Sequence, residues 1–404
     1  MTIYAHADAD CFYVSCERIR DPRLVGKPVG VLGNQGACVI AISYEMKAAG
    51  VEVAMPIWKA KKICPEGIFI KRDFRWYGLL SHAMQSMLSK YSDKVEYYSI
   101  DESFMTFDID FDEARKLAPQ MQKEIYTATG LPISIGFART RTLCKLGSKR
   151  NKPFGTLVID ERNREAILKN TAIHKINGIG RQLARRTEAL GIETAWDFMS
   201  RPREEIKQHF HRPGETIWYE LQGRPILTVK PESEQRKVVS RGGSIWGHHK
   251  DPSYIWGFLV RNLERFLTCL WDNQIEVNSL TTVLQTSDGR AFQHKIPLED
   301  FTSNQSPLLH ALKEGFRHTY KKGPSYCRVH LVGGSIRSAN VRQLNLFHKP
   351  DPRSGEIKKL KANLNARFGL FTLRNASTAH AAEVFKDKVS DFEIVDVSGK
   401  QLFS

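Results

Sequence analysis

Up to Asp160 the chain alternates short apolar strands with helical stretches. TIYAHAD (Thr2 to Asp8) predicts a strand, and CFYVSCERI a helix after it. GKPVGVLG and ACVIAIS predict two further strands, followed by a helical segment from Tyr44. VEYYSIDESFMTFD (Val95 to Asp108) reads as a hairpin turning near Asp101, LPISIGFA as a strand, and TRTLCKLGSKRN as a basic helix. Strands interleaved with helices in this way restrict the fold to an α/β or α+β class. At 404 residues the chain exceeds one ordinary core, so several domains are expected.

The character changes after LVID (Leu157 to Asp160). From about Lys169 to Leu221 the pattern is helical and punctuated by small residues, and the polar VKPESEQRKVVSR (Val229 to Arg241) predicts an interdomain linker. Beyond it lies an α+β unit: helix Tyr254 to Trp271, strand Ser279 to Ser287, a turn at Asp288-Gly289, strand Ala291 to Pro297, helix Pro307 to Tyr320 and strand Cys327 to Gly333. From Ser338 the periodicity fades into a tail. The apolar stretch Phe258 to Trp271 is broken by Arg261, Glu264 and Arg265, which makes it an amphipathic helix and not a membrane span. MTIYAHADAD carries acids where a signal peptide needs an uninterrupted apolar stretch, so a cytoplasmic protein is expected.

Sixty Lys and Arg against 44 Asp and Glu give a formal charge of +16. An excess of that size points to a polyanionic partner, nucleic acid before others. The seven cysteines are scattered, with no CxxC and no Cys/His cluster at zinc spacing, which suits a reducing compartment.

Three carboxylates stand out. Asp8 ends the first predicted strand, and Asp101 with Glu102 occupies the hairpin turn. Acids at strand ends can converge, and converging carboxylates are what hard divalent ions such as Mg²⁺ require, with room left for water and phosphate oxygens. Two such ions could activate a 3′-hydroxyl and stabilise a leaving pyrophosphate. INGIGRQLARRTEALGI (Ile176 to Ile192) has the form of a helix-hairpin-helix. Gly178 and Gly180 let the backbone turn and offer amides to a phosphate, with Arg181, Arg185 and Arg186 nearby.

Together these segments resemble the Y family of DNA polymerases. HADADCFYVSCE (His6 to Glu17) is similar to the family's first motif and YSIDESF (Tyr98 to Phe104) to its second. GACVIAISYEMKAAGVEVAMP (Gly36 to Pro56) is similar to the fingers segment, and SIGFARTRTLCKLGSKRNKPFG (Ser134 to Gly155) to the last palm stretch with its K-P-x-G end. The resemblance runs in family order over about 340 residues. It implies an α+β multidomain right-hand polymerase. The palm, on a ferredoxin-like βαβ sheet, would comprise 1–34 and 79–166, with small fingers at 35–78. A helical thumb with the helix-hairpin-helix would follow at 167–232, an α+β little finger at 238–337, and a flexible C-terminal tail at 338–404.

The resemblance further implies error-prone translesion synthesis without proofreading, in a bacterial SOS response, using two Mg²⁺ ions held by Asp8, Asp101, Glu102 and the Ala9 carbonyl. Tyr13 matches the steric gate that excludes a 2′-hydroxyl. Tyr44, Lys47 and Lys152 match positions that hold the triphosphate, with backbone amides at Cys11 and Phe12. The family often has Arg where this chain has Lys47, which keeps the charge but loses the bidentate fork. Gly178, Gly180, Arg181 and Arg241 would touch DNA phosphates.

RQLNLF (Arg342 to Phe347) resembles the peptide by which bacterial polymerases hook onto the sliding clamp, through Gln343, Leu344, Leu346 and Phe347. An extended segment with apolar anchors suits a preformed groove. Lys358 to Ser377 and Gly33 to Ala41 resemble the UmuC branch, the catalytic subunit of DNA polymerase V, whereas Tyr44 is more like the DinB branch. The UmuC likeness implies a UmuD-type accessory protein and a recombinase filament as partners. Two rivals remain: a non-catalytic scaffold binding DNA and clamp, which retention of the three acids disfavours, and a two-metal nuclease or nucleotidyl cyclase. The steric-gate position argues against the nuclease, and the helix-hairpin-helix and clamp hook against the cyclase.

Overall fold

The computed structural model describes residues 2–33, 38–230, 238–339, 352–368, 371–376 and 384. The chain divides between Ser233 and Glu234 into two compact units.

The first unit opens with β1 (Thr2–Ala9), α1 (Phe12–Arg20), β2 (Val29–Leu32), β3 (Val39–Ile42), α2 (Tyr44–Ala48), α3 (Ile57–Ile63), β4 (Ile68–Lys71) and α4 (Phe74–Leu88). There follow β5 (Val95–Tyr97), β6 (Glu102–Asp108), α5 (Phe111–Thr129), β7 (Ile133–Ala138), α6 (Arg141–Arg150) and β8 (Thr156–Ile159). A helical stretch closes it: α7 (Arg164–Lys169), α8 (Arg181–Ala189), α9 (Ala195–Ser200) and α10 (Arg203–Leu221).

Its main sheet has the order β5-β6-β1-β7-β8, antiparallel except for the parallel β7–β8 pair. β1 is central and buried on both faces, so its two faces serve two cores. Ile3, Ala5, Ala7 and Ala9 join the core built with Val14, Met84, Ile125, Ile135 and Phe137. Tyr4, two residues before His6 on the alternate face, joins a second core with Phe104, Leu143, Leu146, Phe198 and Phe210. Strand periodicity therefore puts His6 and Asp8 on the face that α6 covers. Gly136 on β7 sets how closely α6 approaches: a Cβ there would lie 2.0 Å from the Cys144 carbonyl oxygen and 2.3 Å from the Ser148 amide nitrogen. A separate sheet of order β3-β2-β4 encloses its own core of Leu32, Val39, Met46, Ile57 and Phe69.

The second unit contains β9 (Val238–His249), α11 (Pro252–Asp272), β10 (Ile275–Thr286), β11 (Ala291–Thr302), α12 (Gln305–Thr319), β12 (Tyr326–Ser338) and α13 (Pro352–Phe368). Its antiparallel sheet runs β11-β10-β12-β9, and its core gathers Phe258, Leu263, Phe266, Leu280, Leu312 and Tyr326. Helix α13 lies within the stretch expected to be a flexible tail. Lys361 is buried there and donates to Glu264 and to the Gln305 side-chain oxygen, the latter at 2.9 Å. The sequence concealed this helix because a lysine, not an apolar residue, occupies its docking position.

Candidate active site

β1 and β6 place Asp8 directly opposite Glu102, and His6 opposite Phe104. The pairing follows from the apolar register of TIYA against SFMTF, since a one-residue slip would turn every acid into the opposite core. Ligand atoms of His6, Asp8 and Glu102 lie within 4.8 Å of one another. Asp101 is not in that cluster. It sits at the turn before β6, its carboxylate accepting from the Ser99 hydroxyl at 2.5 Å and its carbonyl from the Ala9 amide at 2.9 Å.

Two lysines from the α6 region meet these acids. Lys152 donates to Asp8 and stands 3.4 Å from Asp10. Lys145, 3% exposed, donates to Glu102 Oε2 at 3.0 Å and lies over the Tyr98 ring at 4.3 Å. Burial pushes the Asp8 carboxyl up to about 7; Lys152 pulls it back, and Glu102 and Asp101 add to the rise. Burial on its own would lower the Lys152 ammonium, but Asp8 and Asp10 hold it above its ordinary value. His6 is held well below its usual range by burial first and then by Lys145, Lys149, Lys152 and Arg141, so its ring is neutral near pH 7.

These donors fit a divalent cation. Carboxylate oxygens are hard ligands, the ionised form of Asp8 is costly in its buried setting, and ammonium groups already stand against Asp8 and Glu102.

Beside the acids, Cys11 takes a left-handed conformation (φ 44°) as the N-cap of α1. Tyr13 stacks on Tyr77 at 4.7 Å and meets Phe74 edge-on at 5.9 Å. The buried Tyr77 hydroxyl donates to Glu17 at 2.5 Å, which locks the platform beneath Tyr13. Tyr44 heads α2 and bonds the Cys11 side chain, and burial raises the pKa of both. Lys47 is exposed in the last turn of α2.

Sequence reasoning missed His6, Asp10, Lys145, Tyr77 and the role of Glu17. Asp10 accepts from the Ser134 hydroxyl at 3.0 Å and the Phe154 amide at 2.7 Å, bracing the segment that carries Lys152. The alternating acids of HADAD were a signal for it. Nothing in the local sequence marked Lys145, because its partner is 43 residues away.

Farther along the same unit, Gly178 has φ +93° and packs against Ile217, while Gly180 caps α8. The GIG turn follows a single 3-10 turn, Ile173–Lys175, where a longer first helix would complete the motif. Arg181, Arg185 and Arg186 are exposed. In the second unit Arg241 lies on β9 opposite Leu331. The hook residues Gln343, Leu344, Leu346 and Phe347 lie outside the described residues.

Residues 7–149 match the impB/mucB/samB (IMS) family. DNA polymerase IV 1 of Bacillus subtilis strain 168 is 28% identical over 397 residues, covering 94% of each chain. DNA polymerase IV 3 of Mesorhizobium japonicum is 34% identical over 239 residues, which is 58% of this chain and 66% of that one. A solved Y-family DNA polymerase chimera built on Dbh superposes with a TM-score of 0.71 at 23% identity, over 83% of this chain and 99% of its own. An insertion ternary complex of Dbh DNA polymerase gives 0.56 at 22%, over 83% and 99%. At these identities the two structures speak for the fold.

Proposed function

This chain belongs to the Y family of DNA polymerases, and we propose that it is a DNA-directed DNA polymerase that copies past damaged template bases by two-metal nucleotidyl transfer. The observation that carries the reading is the pairing of Asp8 with Glu102 on adjacent strands, beside the turn that holds Asp101 and within reach of Lys152. The relatives quoted above carry the name DNA polymerase IV, and the expected closeness to the UmuC branch gains no specific support from them.

Asp8, Asp101, Glu102 and the Ala9 carbonyl would hold two Mg²⁺ ions, whose chemistry is to sharpen the attacking hydroxyl and neutralise developing phosphate charge. Lys152 is placed to exchange Asp8 for a phosphate oxygen, with Tyr44, Lys47 and the amides of Cys11 and Phe12 completing the triphosphate cradle. Tyr13, braced by Tyr77, is the sugar gate. Residues 1–34 and 79–166 act as palm, 35–78 as fingers, 167–232 as thumb and 238–337 as little finger. Gly178, Gly180, Arg181 and Arg241 grip the duplex backbone without reading sequence. Gln343, Leu344, Leu346 and Phe347 hook a sliding clamp. An SOS role follows from translesion chemistry. A UmuD-type protein and a recombinase filament are partners only to the extent that the UmuC likeness of Lys358 to Ser377 holds.

The test is primer extension on undamaged and abasic templates with Mg²⁺ and dNTPs, wild type beside Asp101→Ala. Extension by wild type alone supports the enzyme and its site. Extension by both removes Asp101 from the site. Silence from both, persisting after clamp and accessory proteins are added, favours the scaffold reading.

A further inference from the structure

Glu102 is gripped from two sides. Its Oε2 accepts from Lys145 Nζ at 3.0 Å, and its Oε1 faces His6 Nε2 at 3.8 Å. His6 is fully buried, and its Nε2 has no hydrogen-bond partner among the described residues. The other ring nitrogen, Nδ1, lies 2.7 Å from the Ser148 hydroxyl oxygen, which also stands 3.1 Å from the Lys145 carbonyl, a second acceptor for its single proton. Phe104, the cross-strand neighbour of His6, packs on the ring at 4.5 Å. On the other side His6 faces Gly136, whose missing Cβ lets α6 bring Ser148 and Lys145 down onto this face.

The neutral ring has two tautomers. If Nδ1 donates to Ser148, the bare Nε2 lone pair confronts a carboxylate oxygen in a buried site, which is repulsive. If the Ser148 hydroxyl turns its one proton to Nδ1, the nearer of its two acceptors, and not to the Lys145 carbonyl, Nε2 carries the ring proton and points it at Glu102 Oε1. The second arrangement is attractive, and the present gap is roughly 1 Å longer than a hydrogen bond, so a small rotation of the carboxylate closes it. An imidazole N–H fixed on a carboxylate is a recurrent way of orienting groups around an ion, and losing such a partner typically costs about 10–100-fold in metal affinity.

We propose that His6 is a positioning residue: a Ser148–His6–Glu102 relay, opposed by Lys145, fixes the plane of the Glu102 carboxylate and aims its free lone pairs toward Asp8. The inference rests on the reading above in which Glu102 holds a divalent cation. It assigns His6 no contact with substrate or ion.

The experiment is Mn²⁺ binding to the full chain with primer–template DNA, followed by electron paramagnetic resonance, for wild type, Glu102→Gln, His6→Phe and His6→Gln. His6→Phe keeps a flat ring against Phe104 but has no donor, and Mn²⁺ affinity should fall about 10–100-fold. His6→Gln can restore an N–H near the Nε2 position and should recover most of the loss. Wild-type affinity in a folded His6→Phe, or a weaker His6→Gln than His6→Phe, would overturn the relay in favour of packing. Nitrogen coupling to bound Mn²⁺ from the His6 ring would overturn it in favour of direct ligation. Should His6→Phe fail to fold, Ser148→Ala decides: weakened Mn²⁺ binding supports the relay and unchanged binding rejects it. Equal Mn²⁺ binding by wild type and Glu102→Gln would sink the metal-site reading itself, and the relay with it.

Discussion

At the scale of single residues, burial makes charge expensive at the proposed site. Asp8 is the clearest case, its carboxyl raised to about 7 by burial first. The sign of the consequence is fixed. Below about pH 7 Asp8 holds a proton that an incoming cation must displace, so apparent metal affinity should rise about tenfold per pH unit up to that point and flatten above it. Calorimetry in buffers of different ionisation enthalpy should register about one proton released per ion near pH 6 and almost none near pH 8.5. Pitch and sign both fail if affinity is flat between pH 5.5 and 7. Tyr13 makes a different prediction. Its ring is fixed by Tyr77, which Glu17 fixes in turn, so Tyr13→Ala should open the sugar pocket and admit ribonucleotides. Unchanged selectivity between dNTP and rNTP in single-nucleotide incorporation would take Tyr13 out of the gate.

At the scale of elements, the helix that delivers the cations depends on an absent side chain. Gly136→Ala would drive a Cβ to 2.0 Å from the Cys144 carbonyl and 2.3 Å from the Ser148 amide. The backbone of α6 must lift, at a cost of about 1–3 kcal/mol or more for overpacking a filled core. Lys145 and Ser148 lift with it. Thermal unfolding should shift down by several degrees, and extension activity measured well below the new midpoint should also fall. A variant of native stability would show that the helix accommodates the methyl. The alternation of strand and helix made β1, β6, β7 and α6 legible in the sequence, and the SIDE turn marked Asp101 and Glu102. The Asp8–Glu102 pairing was half legible: each acid sat at a strand end, but the register that joins them is a long-range fact. His6, Lys145 and Tyr77 were not legible, because each matters only through a partner many residues distant. Helix α13 was hidden for the reason that governs buried ion pairs generally: Lys361 and Glu264 satisfy each other, so no apolar stripe announces the face.

At the scale of the whole chain, the charge of +16 has to be divided between specific contacts and diffuse attraction. The exposed Arg181 and Arg185 on α8 follow the GIG turn, where Gly180 has open space on its side-chain side while Gly178 faces Ile217. If these two arginines each neutralise one phosphate of duplex DNA, the slope of log affinity against log salt should become shallower by about 1.8 in the double alanine variant. The loss should be the same on any duplex sequence, because phosphate contacts carry no base information. A purely diffuse attraction predicts something else: removing two charges of the excess would weaken binding slightly at low salt and leave the slope almost unchanged. The two outcomes separate in a salt titration of primer–template binding by fluorescence anisotropy, wild type against Arg181→Ala/Arg185→Ala. An unchanged slope would leave the GIG turn a structural device of the helical stretch and move the duplex grip elsewhere on the chain. A slope reduced by about two would place it on α8, where the two arginines follow the open Gly180.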